Sequence, residues 1–87
     1  MSKNNIEKPE RLAEKMRRVR LKLGLSQAKM GEALGKYEVE RSGGSIGAYE
    51  KEDQLPPLLV VLAYARLAKF PMDLLIDDKR DLPKDFF

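Results

Sequence analysis

Apolar residues recur at helical spacing along the first third of the chain. Leu12, Met16, Val19 and Leu23 follow one another at steps of 4, 3 and 4, the stripe that one face of an α-helix presents. Lys15, Arg17, Arg18 and Lys22 fall between them and are expected to face outward. Pro9-Glu10 opens this helix, because proline is tolerated in a first turn and an acid there suits the helix dipole. Gly24 ends it. Ser26 then supplies an N-cap for a second helix. Met30 and Leu34 form the inward face of that helix, with Gly31 and Ala33 as small neighbours, and Gly35 is expected to stop it.

Lys36 to Arg41, KYEVER, reads as a charged connector whose only apolar members are Tyr37 and Val39. Ser42-Gly43-Gly44-Ser45 follows, and then a short helix from Ile46 to Lys51. Gly43, Gly44 and Gly47 fall within this stretch, and inside a helix each costs ~1 kcal/mol relative to alanine. Neighbours must therefore hold this helix, through Ile46 and Tyr49. Gln54-Leu55-Pro56-Pro57 is a turn. The fourth helix, from Leu58 to about Phe70, is apolar nearly all round, which predicts burial on several sides, as a core element or part of an interface. Pro71 breaks it, and Met72 to Ile76 makes a short fifth helix. No segment alternates convincingly as a strand, so the fold class is all-α.

Three regions result: a flexible N-terminal arm over 1–10, one domain over 11–76 and an acidic C-terminal tail over 77–87. Leu82, Phe86 and Phe87 are docking points within that tail.

Composition narrows the chemistry. Eighty-seven residues make one small domain with thin stability, for which a dimer partner matters. Cysteine and histidine are both absent, which removes disulfides, thiolate chemistry, ordinary zinc sites and most nucleophilic triads. No cofactor or metal is expected. Ser42-Gly43-Gly44-Ser45 lacks the Gly-Lys-Ser/Thr of a phosphate loop. Asp77, Asp78 and Asp81 have no partner base, and the reading is not an enzyme. No apolar run approaches ~20 residues and no signal segment opens the chain, so a cytoplasmic protein without a membrane span is expected.

Net charge is +3, but it is unevenly spread. Residues 1 to 42 carry 11 Lys/Arg against 6 Asp/Glu, and residues 43 to 87 carry 6 against 8. A basic amino half and an acidic carboxyl half suit a protein with one side facing a polyanion.

Two short helices at a tight turn, in a small basic chain, suggest a helix-turn-helix over about 26–51. The chain resembles the lambda-repressor/Cro-like helix-turn-helix family, the Xre-type transcriptional regulators. The resemblance rests on Met16-(x3)-Arg20, Gly24-Leu25-Ser26-Gln27, Met30-Gly31, Leu34-Gly35, Ile46, Tyr49-Glu50, Pro56, Ala65 and Met72-Asp73-Leu74-Leu75. It covers roughly residues 11 to 76. It implies a five-helix DNA-binding domain, a regulator of transcription, and a homodimer reading two half-sites on double-stranded DNA. It also implies that Gln27 donates to a phosphate at the start of the second helix, and that Arg20 pairs with Glu50 to pin the third helix to the first.

In this family the third helix is the reader. Its matching positions here are Gly43, Gly44, Ser45, Gly47 and Ala48. None offers the Arg-to-guanine or Asn/Gln-to-adenine fork of direct readout, and only Ser45 can hydrogen-bond a base edge. The interval from Gly35 to Ile46 is also longer than the family pattern by about five residues, so the turn between helices 2 and 3 is lengthened. Two readings stay open. In one, Lys36, Tyr37 and Arg41 of the insertion reach the groove or backbone, and the glycines permit binding by shape and charge. Ser26, Gln27, Lys29, Ser42 and Lys51 then complete the DNA-binding set, with Lys15, Arg17, Arg18 and Lys22 as phosphate partners. In the other, the reader is degenerate and the fold is a protein-interaction or dimerisation module, antitoxin-like or adaptor, with a partner on helix 4 or the C-terminal tail.

Overall fold

The computed structural model describes residues 9–86. Residues 1–8 of the flexible arm expected over 1–10, and Phe87 as a docking point, lie outside the described residues. Five α-helices run in order: α1 Leu12–Lys22, α2 Gln27–Ala33, α3 Gly43–Glu50, α4 Leu58–Ala68 and α5 Asp73–Ile76. Among the described residues there is no strand. Met16, Val19, Met30, Leu34, Ile46, Val60, Tyr64 and Leu75 are fully buried, so every helix contributes to one core.

The ends of the first two helices follow from local chemistry. Gly24 takes φ +75° and reverses the chain after α1. The Ser26 hydroxyl oxygen accepts from the Lys29 N–H at 3.1 Å, which caps α2. Gly35, however, does not stop the second helix. The chain tightens into a 3-10 turn over Leu34–Tyr37, and the left-handed residue is Glu38, at φ 66°. The Glu38 N–H bonds Gly35 O at 3.0 Å and the Val39 N–H bonds Leu34 O at 3.2 Å. This paired ending satisfies two carbonyls at the end of the turn and brings Val39 onto the core, with the positive φ falling at glutamate.

The KYEVER segment is therefore built into the fold. Tyr37 and Val39 pack against the core, and the Arg41 N–H bonds Gly31 O at 3.2 Å. Gly31 is what allows that approach. A Cβ there would run into the Arg41 carbonyl, with the carbonyl carbon only 2.8 Å away. Gly31→Ala is expected to cost about 1–3 kcal/mol, as overpacking against backbone does. An unchanged thermal midpoint would show that the connector can move aside freely.

Lys15 is the main departure from the sequence expectation. It does not face outward; only 1% of it is exposed. Its ammonium donates to Leu74 O at 2.8 Å, Asp77 O at 2.9 Å and Arg80 O at 2.6 Å. All three of its hydrogens are thus used on carbonyls at and beyond the end of α5. Position 15 lies three residues after Leu12 and four before Val19, on the buried stripe rather than beside it. Burial and nearby Arg11 pull the ammonium below the ordinary lysine range.

The residues after α5 are held against α1. Asp78 accepts from the Glu10 N–H at 2.8 Å and the Arg11 N–H at 3.0 Å, capping α1 from a distant part of the chain. Arg11 returns a bond to Asp78 O at 3.1 Å and pairs with Asp81 at 2.8 Å. Leu82 is buried, and Phe86 meets Phe70 edge to face at 5.3 Å. The two backbone N–H donors hold the Asp78 carboxyl below its ordinary value of 3.8. A depressed carboxyl contributes stability that is present above the usual carboxylate range and lost as pH falls through the folded value. Asp78→Asn is expected to flatten the acid side of the stability-against-pH curve below about pH 4. Parallel acid limbs for the two proteins would rule this cap out.

The start of α4 also differs from expectation. Val60, Val61, Ala63, Tyr64 and Ala65 are buried, but Leu58 and Leu59 are 63% and 61% exposed. The first turn of this helix projects past the elements that cover the rest.

Candidate nucleic-acid interface

The helix-turn-helix is assembled by close approach of α2 and α3. A Cβ on Gly43 would sit 3.1 Å from both N and Cα of Ala28, and one on Gly47 would sit 3.2 Å from Oε1 of Gln27. These two glycines therefore let the helices touch along their first turns. The Ser42 hydroxyl oxygen accepts from the Ser45 N–H at 3.1 Å and caps α3, while its own hydrogen goes to the Ser45 hydroxyl at 3.3 Å. Two serine-capped helix starts thus lie side by side. The N–H groups of Gln27, Ala28, Gly43 and Gly44 belong to first turns and have no carbonyl in their own helices to bond.

A buried ion pair fixes the angle of α3. Arg20 Nε donates to Glu50 Oε2 at 2.7 Å and Nη2 to Oε1 at 3.1 Å, and Nη1 donates to Leu25 O at 3.0 Å. The Arg20 and Glu50 side chains are only 11% and 5% exposed. The hydrogen bonds it donates to Glu50, more than the charge of that carboxylate, hold the guanidinium in its protonated form. Gln27 Nε2 donates to the same carboxylate at 3.2 Å. Beside this pair the Tyr64 hydroxyl is buried with no hydrogen-bond partner among the described residues, and burial holds it far above the ordinary phenol range.

With Ile46 and Tyr49 in the core, Gly43 and Gly47 against α2 and Glu50 on Arg20, α3 turns Gly44, Ser45 and Ala48 outward. Gly44 is exposed, Ser45 and Ala48 are half-buried, and Lys51 follows in the open. This face carries almost no side chain.

The insertion contributes less reach than its charges imply. Arg41 Nε donates to the Tyr49 hydroxyl at 3.3 Å, and Nη1 donates to Val39 O at 3.2 Å and Glu40 O at 2.9 Å. Its guanidinium braces the loop onto α3. Tyr37 is flanked by two cations, the Lys36 ammonium 5.7 Å and the Arg66 guanidinium 5.8 Å from its ring centre. Arg66 escapes a reading along the chain, since only the fold brings α4 beside residue 37.

Much of the amino-half charge is likewise committed internally. Arg11, Lys15, Arg20 and Arg41 hold the partners given above. Arg18 bonds Glu14 one turn away at 3.0 Å, and Lys29 lies 3.6 Å from Glu32. Arg17, Lys22, Lys36 and Lys51 are exposed.

Among solved structures, the chain superposes on the P22 c2 repressor protein in complex with a synthetic operator, with a TM-score of 0.64. The fold is lambda-repressor-like. The two sequences are 25% identical, and the match covers 77% of this chain and 94% of the c2 chain. No protein-family model and no curated protein sequence matches the chain. The lambda-repressor-like domain thus has the five-helix arrangement that the resemblance implied, with residues 34–42 connecting α2 to α3. No helix among the described residues is long and apolar enough to cross a membrane, and no group of three or more His, Cys, Asp or Glu among them could hold a metal.

Proposed function

We propose that this chain is a DNA-binding regulator of transcription that lays α3 in a groove of duplex DNA and sets the start of α2 on the backbone. The observation that carries this reading is the shared backbone with a repressor solved on its operator. The adjoining helix starts support it, since unpaired first-turn N–H groups and the positive dipole ends favour phosphate. Recognition in this reading is by shape and charge. Gly44, Ser45 and Ala48 bring backbone close to the DNA but offer no fork for guanine or adenine. Exposed Lys36 and Lys51 supply phosphate contacts, while Arg41 holds the loop instead of reading bases.

The test is a fluorescence anisotropy titration with a mixed-sequence duplex, repeated at rising salt. Micromolar binding that weakens steeply with salt is expected. Ala48→Glu, which adds a carboxylate to the outward face of α3, is expected to weaken binding at least about tenfold through repulsion from phosphate. No binding at low salt by the folded wild-type protein would end this reading.

A further inference from the structure

Two surfaces of this chain complement each other, and neither belongs to the α2–α3 face. The first surrounds the turn into α4. Leu55, Leu58 and Leu59 are 61%, 63% and 61% exposed. Leu55 and Leu58 line a groove with Pro9, Leu12, Val61 and Ile76, and Leu59 follows Leu58 in the chain. Large apolar side chains this exposed and this close together mark contact surfaces rather than scatter. The surroundings are acidic: Glu52 lines the adjoining cleft, with exposed Asp53 next to it in the chain, and exposed Glu10 and Asp77 are chain neighbours of groove residues Pro9 and Ile76. Among the described residues, the cation next in the chain to groove residue Leu12, Arg11, is bound to Asp78 and Asp81.

The second surface is at the far end of α1. Leu21 is 50% exposed and lies beside Phe86 and Lys22, with exposed Arg17 one turn back. It is an apolar knob with a basic margin. Leu12 and Leu21 are nine positions apart on one helix, which is about 14 Å along its axis and about 180° around it. The acidic groove and the basic knob therefore face opposite ways.

We propose that the occupant of the acidic groove is the Leu21 knob of a second copy of this chain. A symmetric dimer through the groove would set the two acidic margins against each other, and like charges across an interface are costly. Groove on knob pairs carboxylates with Arg17 and Lys22 instead. Because the two surfaces point apart, such a contact is heterologous and does not close, so copies add head to tail. The contact is small, which puts it among weak associations that proximity on a shared polymer would strengthen.

Sedimentation velocity on the full chain and on two surface variants, Leu58→Asp and Leu21→Asp, tests this. Far-UV circular dichroism checks that both variants, each changed at an exposed site, remain folded. The wild type is expected to associate beyond a dimer as concentration rises, and less so in high salt. Each variant alone is expected to associate at least tenfold more weakly. An equimolar mixture of the two is expected to recover a dimer and nothing larger, since each supplies the surface the other lacks. The proposal is overturned by a wild type that stays monomeric at hundreds of micromolar, by Leu21→Asp self-associating like the wild type, or by a mixture that remains monomeric. None of these outcomes depends on DNA, so a failure here leaves the DNA-binding reading intact.

Discussion

Glu50→Ala is expected to lower the free energy of unfolding by about 3–5 kcal/mol, the usual cost of removing one partner of a buried pair. The loss is large because three donors converge on this carboxylate: Arg20 Nε, Arg20 Nη2 and Gln27 Nε2. With Glu50 gone, a guanidinium only 11% exposed keeps its charge and just one protein acceptor, Leu25 O. Arginine cannot relieve this by losing its proton. A domain of this length is stable by roughly 4–13 kcal/mol in all, so the variant should be close to unfolding at 37 °C. Urea denaturation measures it directly. The double variant Arg20→Met with Glu50→Leu separates pair from position, because apolar groups of similar volume remove both charges and should recover most of the loss. A double variant as unstable as Glu50→Ala would mean that packing at residue 50, not the stranded charge, sets the cost.

Lys15→Met is expected to cost about 2–4 kcal/mol, for a different reason. Methionine keeps most of the buried stem but leaves Leu74 O, Asp77 O and Arg80 O without their shared donor. Three carbonyls that converge on one ammonium cannot turn to other partners without shifting the backbone after α5. That backbone carries Asp78, which caps α1, so the start of α1 should loosen too. Hydrogen exchange should show this as faster exchange at the first amides of α1. The same variant separates two views of Lys15. If it is an internal brace, the folded fraction of Lys15→Met binds duplex DNA with an unchanged salt slope. If it is a phosphate partner, that slope falls by about one.

Where the sequence signals were local, they were legible. Gly24 and Ser26 act within one turn, through a positive φ and a hydroxyl acceptor, so their roles follow from residue type. The core stripe of α1 and the burial of Ile46 and Tyr49 follow from periodicity. The Arg20–Glu50 pair came from the family resemblance, since neither residue by itself names its partner. At the interface, the scarcity of side chains on the outward face of α3 could be read directly from Gly44, Ser45 and Ala48.

The failures share a cause. Lys15 looked like a surface charge because lysine usually is one, although its position on the stripe pointed inward. Its three acceptors lie 59 to 65 residues away, and no local pattern announces them. Gly35 reads as a helix stop, yet the left-handed residue is Glu38, where the Glu38 and Val39 N–H groups bond the Gly35 and Leu34 carbonyls. The Arg41 guanidinium is turned onto Tyr49 and two loop carbonyls, partners that its charge alone does not name.

The sequence by itself determined the turn at Gly24, the Ser26 cap and the identity of the apolar faces, because those depend on interactions within a turn or two. Only the tertiary structure decided which charges remain available to a partner. A cation is free or committed according to the acceptors that distant segments bring within 3 Å or so of it. In this chain those acceptors come from the end of α3, the end of α5 and the strap that follows it.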